Sequence, residues 1–170
     1  MRIEERHDFD DYASVMWPRL VRAALLLGCS PPDAQDLVQT VLTRCLLKWR
    51  RVGSADDRDA YVHRMLVNTH ISNRRRLWHR EQPTPEPIAD PPPSDDPFTT
   101  VVDRSAVLES LMRLPNDQRV AVVLRFYLDL SETQMADLLS VRPGTVKSRL
   151  SRALRALSLD PSITHFQDTQ

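Results

Sequence analysis

Residues 131–154 read SETQMADLLSVRPGTVKSRLSRAL, which is the pattern of two short helices joined by a tight turn. Ser131 and Gln134 have the spacing of a capping box, in which each side chain accepts a hydrogen bond from the other residue's backbone N–H. Pro143 can begin the second helix because the first helical turn does not need its missing N–H. We therefore predict a helix-turn-helix with its first helix over Glu132–Leu139.

The second helix of this motif has one apolar and one polar face. Helical spacing predicts five inward residues, and these are Val146, Leu150, Ala153, Leu154 and Leu157. The outward residues are then Thr145, Lys147, Ser148, Arg149 and Arg152. In helix-turn-helix proteins the start of the second helix meets base edges in the major groove, where Arg and Lys pair with guanine. A merely solvated basic helix is the simpler alternative, but spacing, capping and charge all favour DNA binding.

Charge is separated along a chain whose formal net charge is zero. Residues 141–157 contain five bases and no acid, whereas residues 81–103 contain six acids and no base. Arg74, Arg75 and Arg76 form a second basic cluster. A neutral chain of this kind can still present two electropositive faces.

Residues 83–97 contain seven of the thirteen prolines and divide the chain. Proline continues neither a helix nor a sheet ladder, so this region is predicted to be an acidic linker. Both flanking parts show helical periodicity and no alternating strand pattern. We predict an all-α protein with helical domains at 1–80 and 101–160, a linker at 81–100 and a tail at 161–170.

The first part contains three predicted helices. The first covers Phe9–Leu27, with Val15 among its inward residues, and Ser30 begins the second as an N-cap. The third covers about Asp57–Trp78.

Several classes of protein are disfavoured by what the sequence lacks. Its five histidines have no metal-ligand spacing, and no phosphate-binding loop or nucleophile elbow is present. We therefore expect no catalytic residue, metal or cofactor. Cys29 and Cys45 form no CxxC pair, and no apolar stretch is long enough for membrane insertion. These features predict a cytoplasmic protein.

The chain is similar to the extracytoplasmic-function (ECF) sigma factors of bacterial RNA polymerase, and to their actinobacterial SigE-like group in particular. Four stretches resemble region 4, namely Leu114-Pro115-x-x-Gln118-Arg119, Leu124-Arg125, Asp129-Leu130-Ser131 and Gly144-Thr145-Val146-Lys147-Ser148-Arg149-Leu150. Asp33-Ala34-x-Asp36-Leu37-Val38-Gln39 resembles region 2.2, and Ala60-Tyr61-Val62 with Asn68 and the arginine cluster resembles regions 2.3 and 2.4.

The resemblance implies a protein that binds core RNA polymerase and directs it to promoters. Asp36, Leu37 and Gln39 would contact the clamp helices of the β′ subunit. The apolar residues Leu111, Leu114, Val120 and Leu124 would be divided between the core and a docking site for the β flap. An anti-sigma factor could be a further partner.

The same resemblance implies two contacts with promoter DNA. The −35 element would be bound as duplex by the outward face of the helix-turn-helix, with Arg119 and Arg125 as supporting phosphate contacts. The −10 element would be bound as single strand by a basic and polar set, comprising Lys48, Trp49, Arg50, Arg51, Tyr61, Arg64, Asn68, Asn73, Arg74, Arg75 and Arg76. Trp49 and Tyr61 also suit core packing, and both roles remain open at this stage. The linker could imitate nucleic acid or act as a tether. A stand-alone helix-turn-helix regulator is the alternative function.

Overall fold

The computed structural model describes the backbone of residues 3–78 and 101–160, and most side chains within these ranges. The helices are α1 (Ile3–Leu26), α2 (Pro31–Leu47), α3 (Trp49–Gly53), α4 (Arg58–Trp78), α5 (Val101–Arg113), α6 (Asn116–Val122), a π-helical segment (Val123–Tyr127), α7 (Glu132–Leu139) and α8 (Pro143–Ser158). No β-strand occurs within these two ranges, and the all-α fold class is confirmed. The predicted linker at 81–100 and tail at 161–170 lie outside the described residues.

The described helices form two compact units. Unit 1 contains α1 as far as Leu25 together with α2, α3 and α4, and unit 2 contains α5 to α8. Each unit buries its own set of aliphatic side chains, for example Leu20 and Val38 in unit 1 and Leu124 and Met135 in unit 2.

In unit 1, α2 begins where the sequence predicts. The Ser30 side chain accepts a hydrogen bond from the Asp33 backbone N–H at 3.3 Å, and Pro31 occupies the first helical position. The apolar stripe of α2 is buried along its length from Ala34 to Cys45. The inward placement of Val15 in α1 is wrong, because 59% of this residue is exposed.

An aromatic cluster joins three helices of unit 1. The Trp49 ring meets Phe9 edge to face at a centroid distance of 5.2 Å and lies 5.3 Å from the Tyr12 ring. The Trp49 indole Nε1 donates a hydrogen bond to Asp8, and the Arg58 guanidinium lies 4.9 Å from the Trp49 ring centroid. These contacts anchor the short helix α3, which the sequence did not predict as a separate element.

Unit 2 contains the predicted helix-turn-helix. Both hydrogen bonds of the capping box are present, from Gln134 N to Ser131 Oγ at 3.2 Å and from Ser131 N to Gln134 Oε1 at 2.8 Å. Helix α7 ends at Leu139, and the left-handed φ of 54° at the next residue, Ser140, reverses the chain before Pro143 begins α8. Ala136 and Val146 are buried as predicted, whereas Leu154 is 44% exposed and its predicted burial is wrong.

Candidate nucleic-acid interface

The start of α8 presents a polar and basic face. Lys147, Ser148 and Arg152 are exposed, and Thr145 and Arg149 are half-buried. The five residues predicted to read duplex DNA therefore lie on one short helix. Val146, Leu150 and Ala153 on the same helix are buried and hold it against the rest of unit 2.

Hydrogen bonds order part of this face. The Ser148 hydroxyl donates to the Thr145 carbonyl at 2.9 Å. Arg152 Nε donates to the Ser148 carbonyl, and Arg152 Nη2 donates to the Ser148 hydroxyl, both at 3.2 Å. These bonds hold Arg152 along the surface of α8, where its remaining donors face solvent.

Arg149 is held differently, by a residue on another helix. Its Nε lies 3.3 Å from Oδ2 of Asp117, near the start of α6. The Arg149 side chain is 23% exposed, so it is less outward than the sequence predicts. The partner could not be found from local sequence because the two residues meet only through tertiary packing.

The two residues predicted to support this face differ in their surroundings. Arg119 is buried, and its guanidinium donates to the Met112 carbonyl and to the Asn116 side chain. We therefore revise the assignment of Arg119 as a phosphate contact to a packing role. Arg125 is exposed and donates to the Leu130 carbonyl at 3.1 Å, which stabilises the turn before α7.

The apolar set considered as a docking site is part of a core. Leu111, Leu114, Val120 and Leu124 are each at most 6% exposed. They offer little surface to a partner. Among the described residues of unit 2, the large apolar side chains that face solvent include Phe126 in the π-helical segment, which is 62% exposed, and also Val107, Leu154 and Leu159.

Unit 1 carries an open groove of about 440 Å³ along α4. Most of the lining is polar or basic, and Tyr61 and Met65 add apolar surface. The lining residues are Arg44, Tyr61, Arg64, Met65, Asn68, Thr69, Ser72 and Asn73. Arg44 of α2 donates from Nη1 to the Thr69 hydroxyl at 2.9 Å, and this hydroxyl donates to the Met65 carbonyl. Four residues predicted to bind single-stranded DNA, Tyr61, Arg64, Asn68 and Asn73, thus line one groove.

Trp49 does not belong to this groove. It is 5% exposed within the aromatic cluster. Of the two roles left open for it, the structure favours core packing, and we remove Trp49 from the candidate DNA contacts. Tyr61 is half-buried and lines the groove, which is compatible with stacking on a base.

The remaining basic residues differ in their surroundings. Lys48 and Arg51 are exposed, and Arg50 is exposed but forms an ion pair with Glu5 at 3.0 Å. Arg74 is half-buried and Arg75 is exposed, both on the last turns of α4. The side chain of Arg76 lies outside the described residues.

The predicted polymerase-binding residues lie on α2. Asp36 and Gln39 are exposed, whereas Leu37 is 4% exposed within the core of unit 1. Burial argues against a direct contact by Leu37. Its neighbours on the helix surface are available to a partner.

Two titratable groups in unit 1 have pKa values that burial shifts. Burial lowers the pKa of His63 against the opposing influence of Asp59 and Asp57, with a smaller lowering from Arg19. Burial raises the pKa of the Cys45 thiol to about 11, so this thiol is protonated at neutral pH. Within residues 3–78 and 101–160, no group of three or more His, Cys, Asp or Glu side chains could hold a metal ion. None of the helices described combines the length and hydrophobicity of a transmembrane span.

Comparison with known proteins shows similarity over most of the chain. Residues 104–157 match the family model described as Sigma-70, region 4. The RNA polymerase sigma-E factor of Streptomyces coelicolor is 36% identical over 150 residues, which cover 88% of this chain and 84% of that one. The ECF RNA polymerase sigma factor SigL of Mycobacterium tuberculosis is 30% identical over 159 residues, covering 89% and 85%.

Solved structures show the same fold. The sigma factor RpoE from Bartonella quintana, in co-crystals with the anti-sigma factor NepR, superimposes with a TM-score of 0.70 at 24% identity. That match covers 96% of this chain and 99% of RpoE. CnrH, in complex with the cytosolic domain of CnrY, gives a TM-score of 0.55 at 20% identity, with coverage of 90% and 86%.

Proposed function

This chain belongs to the ECF sigma factors of bacterial RNA polymerase, and on that premise we propose how its two helical units recognise a promoter. As a sigma factor it binds core RNA polymerase and directs promoter-specific initiation of transcription. The similarity extends through both units, whereas a stand-alone regulator would account only for the helix-turn-helix. In our proposal α8 of unit 2 binds the −35 element as duplex, and the α4 groove of unit 1 binds the −10 element as single strand.

The arrangement of α8 is the single observation that carries the proposal. A capped helix-turn-helix presents Lys147 and Ser148 in the first half of its second helix, where such motifs meet base edges, and Arg152 one turn after Ser148. Arg and Lys side chains there can pair with guanine acceptors or with phosphates. Its basic residues are few and the chain has no net charge, so we expect weak DNA binding without further contacts.

The α4 groove supplies the chemistry that an unstacked strand requires. Proteins bind single-stranded DNA through aromatic side chains that stack on bases, polar groups that contact base edges, and basic side chains that follow the phosphate backbone. Tyr61 can provide the stacking surface, Asn68 and Asn73 the edge contacts, and Arg64 a phosphate contact. We also assign phosphate contacts to Lys48, Arg51 and the arginine cluster Arg74–Arg76, and to Arg50 if its ion pair with Glu5 opens.

Polymerase binding is assigned to the exposed surface of α2. Asp36 and Gln39 are accessible there and would contact the β′ clamp helices. We propose that the β flap contacts the exposed side chain of Phe126 instead of the buried residues Leu111, Leu114, Val120 and Leu124. The chain acts by binding and not by catalysis, and we place it in the cytoplasm with its polymerase. An anti-sigma factor is proposed as a further partner, since RpoE and CnrH were each solved with a bound protein.

The test compares two pairs of substitutions in the full chain reconstituted with core polymerase. Lys147→Ala with Arg152→Ala should reduce binding to a duplex promoter. Asn68→Ala with Asn73→Ala should leave initial duplex binding intact. The same Asn68→Ala, Asn73→Ala variant should reduce the permanganate reactivity of melted thymines near −10. Ser14→Ala with Ser158→Ala is the control pair, because both serines are exposed and Ser158 lies at the other end of α8.

A template with a pre-melted −10 region distinguishes the two contacts further. It should not rescue the α4 groove pair, because that pair lacks contacts to the single strand itself. If the α8 pair impaired only strand capture, or the groove pair only duplex binding, the assignment of the two units would be overturned.

A further inference from the structure

The ion pair between Arg149 and Asp117 joins the recognition helix to the helix that supports it. The Arg149 Nε and Asp117 Oδ2 atoms are 3.3 Å apart, and α6 and α8 pack against each other. The other carboxylate oxygen, Oδ1, accepts a hydrogen bond from the Gln118 backbone N–H at 3.0 Å. Both oxygens of Asp117 are therefore engaged, so the carboxylate has a defined orientation.

The pair restricts the guanidinium without using all its donors. Arginine has five N–H donors in a planar fork, and the contact with Asp117 engages the Nε side of it. The two terminal nitrogens can still pair with a guanine or a phosphate. A long side chain loses rotamer freedom when it binds, and holding it in advance reduces that loss. Arg152 lacks this support from another helix, since its described bonds are to Ser148 of α8.

We propose that Asp117 is a positioning residue that directs Arg149 toward the upstream promoter duplex and thereby sets base discrimination there. The inference rests on the proposed function of α8 and adds to it a residue outside the recognition helix. Asp117 itself is half-exposed, and on the proposed function its carboxylate lies close to the DNA backbone. It repels phosphates while it orients Arg149.

These two effects give the proposal a distinctive signature. Removing the charge of Asp117 lowers repulsion and raises binding to DNA of any sequence, because phosphate contacts carry no sequence information. Releasing Arg149 lowers discrimination between bases. Affinity and discrimination therefore change in opposite directions, whereas loss of a purely structural ion pair would reduce both together.

The experiment uses the full chain with core polymerase and a promoter library randomised over the upstream element. Transcripts are sequenced to give the base preference at each position. For Asp117→Asn we expect at least about a fivefold loss of preference at one or two positions, since good bidentate contacts discriminate by about that factor or more. The amount of transcript from non-preferred promoter sequences should be unchanged or higher. Asp137→Asn removes an equal charge from an exposed site on α7 and should leave the preferences unchanged.

Testing Asp117→Asn in a chain that also carries Arg149→Ala shows whether Asp117 acts through Arg149. In Arg149→Ala the preference at the same positions should already be lost, and adding Asp117→Asn should change it no further. A uniform loss of transcription by Asp117→Asn with a lower melting temperature would overturn the proposal, as would a full effect in the Arg149→Ala background. If Arg149→Ala alters base preference and Asp117→Asn does not, only the role of Asp117 fails. If neither variant alters it, the assignment of Arg149 to DNA reading fails as well.

Discussion

Removing the capping box of α7 is expected to destabilise unit 2 by a calculable amount. Ser131→Ala deletes the acceptor for the Gln134 N–H, and helix α7 has only eight residues. Replacing such an N-cap by Ala costs about 1 kcal/mol. For a domain of 60 to 100 residues, this corresponds to a fall in melting temperature of roughly 4–8 °C.

The assay is thermal unfolding of the full chain followed by far-UV circular dichroism. Ser131→Asp should retain most of the stability, because aspartate is an equally good N-cap. Ser151→Ala is the matched control, as Ser151 is an exposed residue in the middle of α8 and alanine favours helix there. Equal melting temperatures for Ser131→Ala and Ser151→Ala would refute the reasoning that the capping box supports the helix-turn-helix.

Three further outcomes are expected. Trp49→Ala should lower the free energy of unfolding in urea by about 3–5 kcal/mol, as for other large buried aromatic residues. Trp17→Ala, at an exposed site, should have a much smaller effect. Similar losses of stability in the two variants would contradict the packing role of Trp49. Because the pKa of His63 is lowered in the folded chain, the unfolded chain binds more protons between that value and about pH 6.5, so stability should fall as pH drops through this window. His63→Leu should flatten that dependence, and an unchanged slope would contradict it. Asp36→Arg should weaken association with core polymerase in a salt-dependent manner, measured by co-purification, whereas Asp10→Arg should not; equal retention of both would remove Asp36 from the contact.

The helix-turn-helix could be predicted from sequence because its signals are local. A capping pair three residues apart, a proline at a helix start and a periodic apolar face each act within a few residues. The helix bounds of α7 and the start of α8 follow from these signals alone.

Features that depend on tertiary packing were predicted less well. Val15 and Leu154 fit the apolar periodicity of their helices but lie at the edge of the buried face and remain exposed. The π-helical segment and the separate α3 have no simple local signal. The pairing of Asp117 with Arg149 joins residues that are distant in sequence, so only the packing of α6 on α8 reveals it. The groove along α4 was predicted in part. Helical periodicity could group the lining residues of α4, whereas the contribution of Arg44 from α2 depends on tertiary packing.

The central claim is that this protein selects promoters as part of RNA polymerase. The most direct measurement is footprinting and transcription on genomic DNA fragments with the full chain, core polymerase, and both together. Protection near −35 and −10, and defined transcripts, should require both components. Sequence-specific protection by the isolated chain at physiological salt, with no change in the transcripts when the chain is added to core polymerase, would contradict the account.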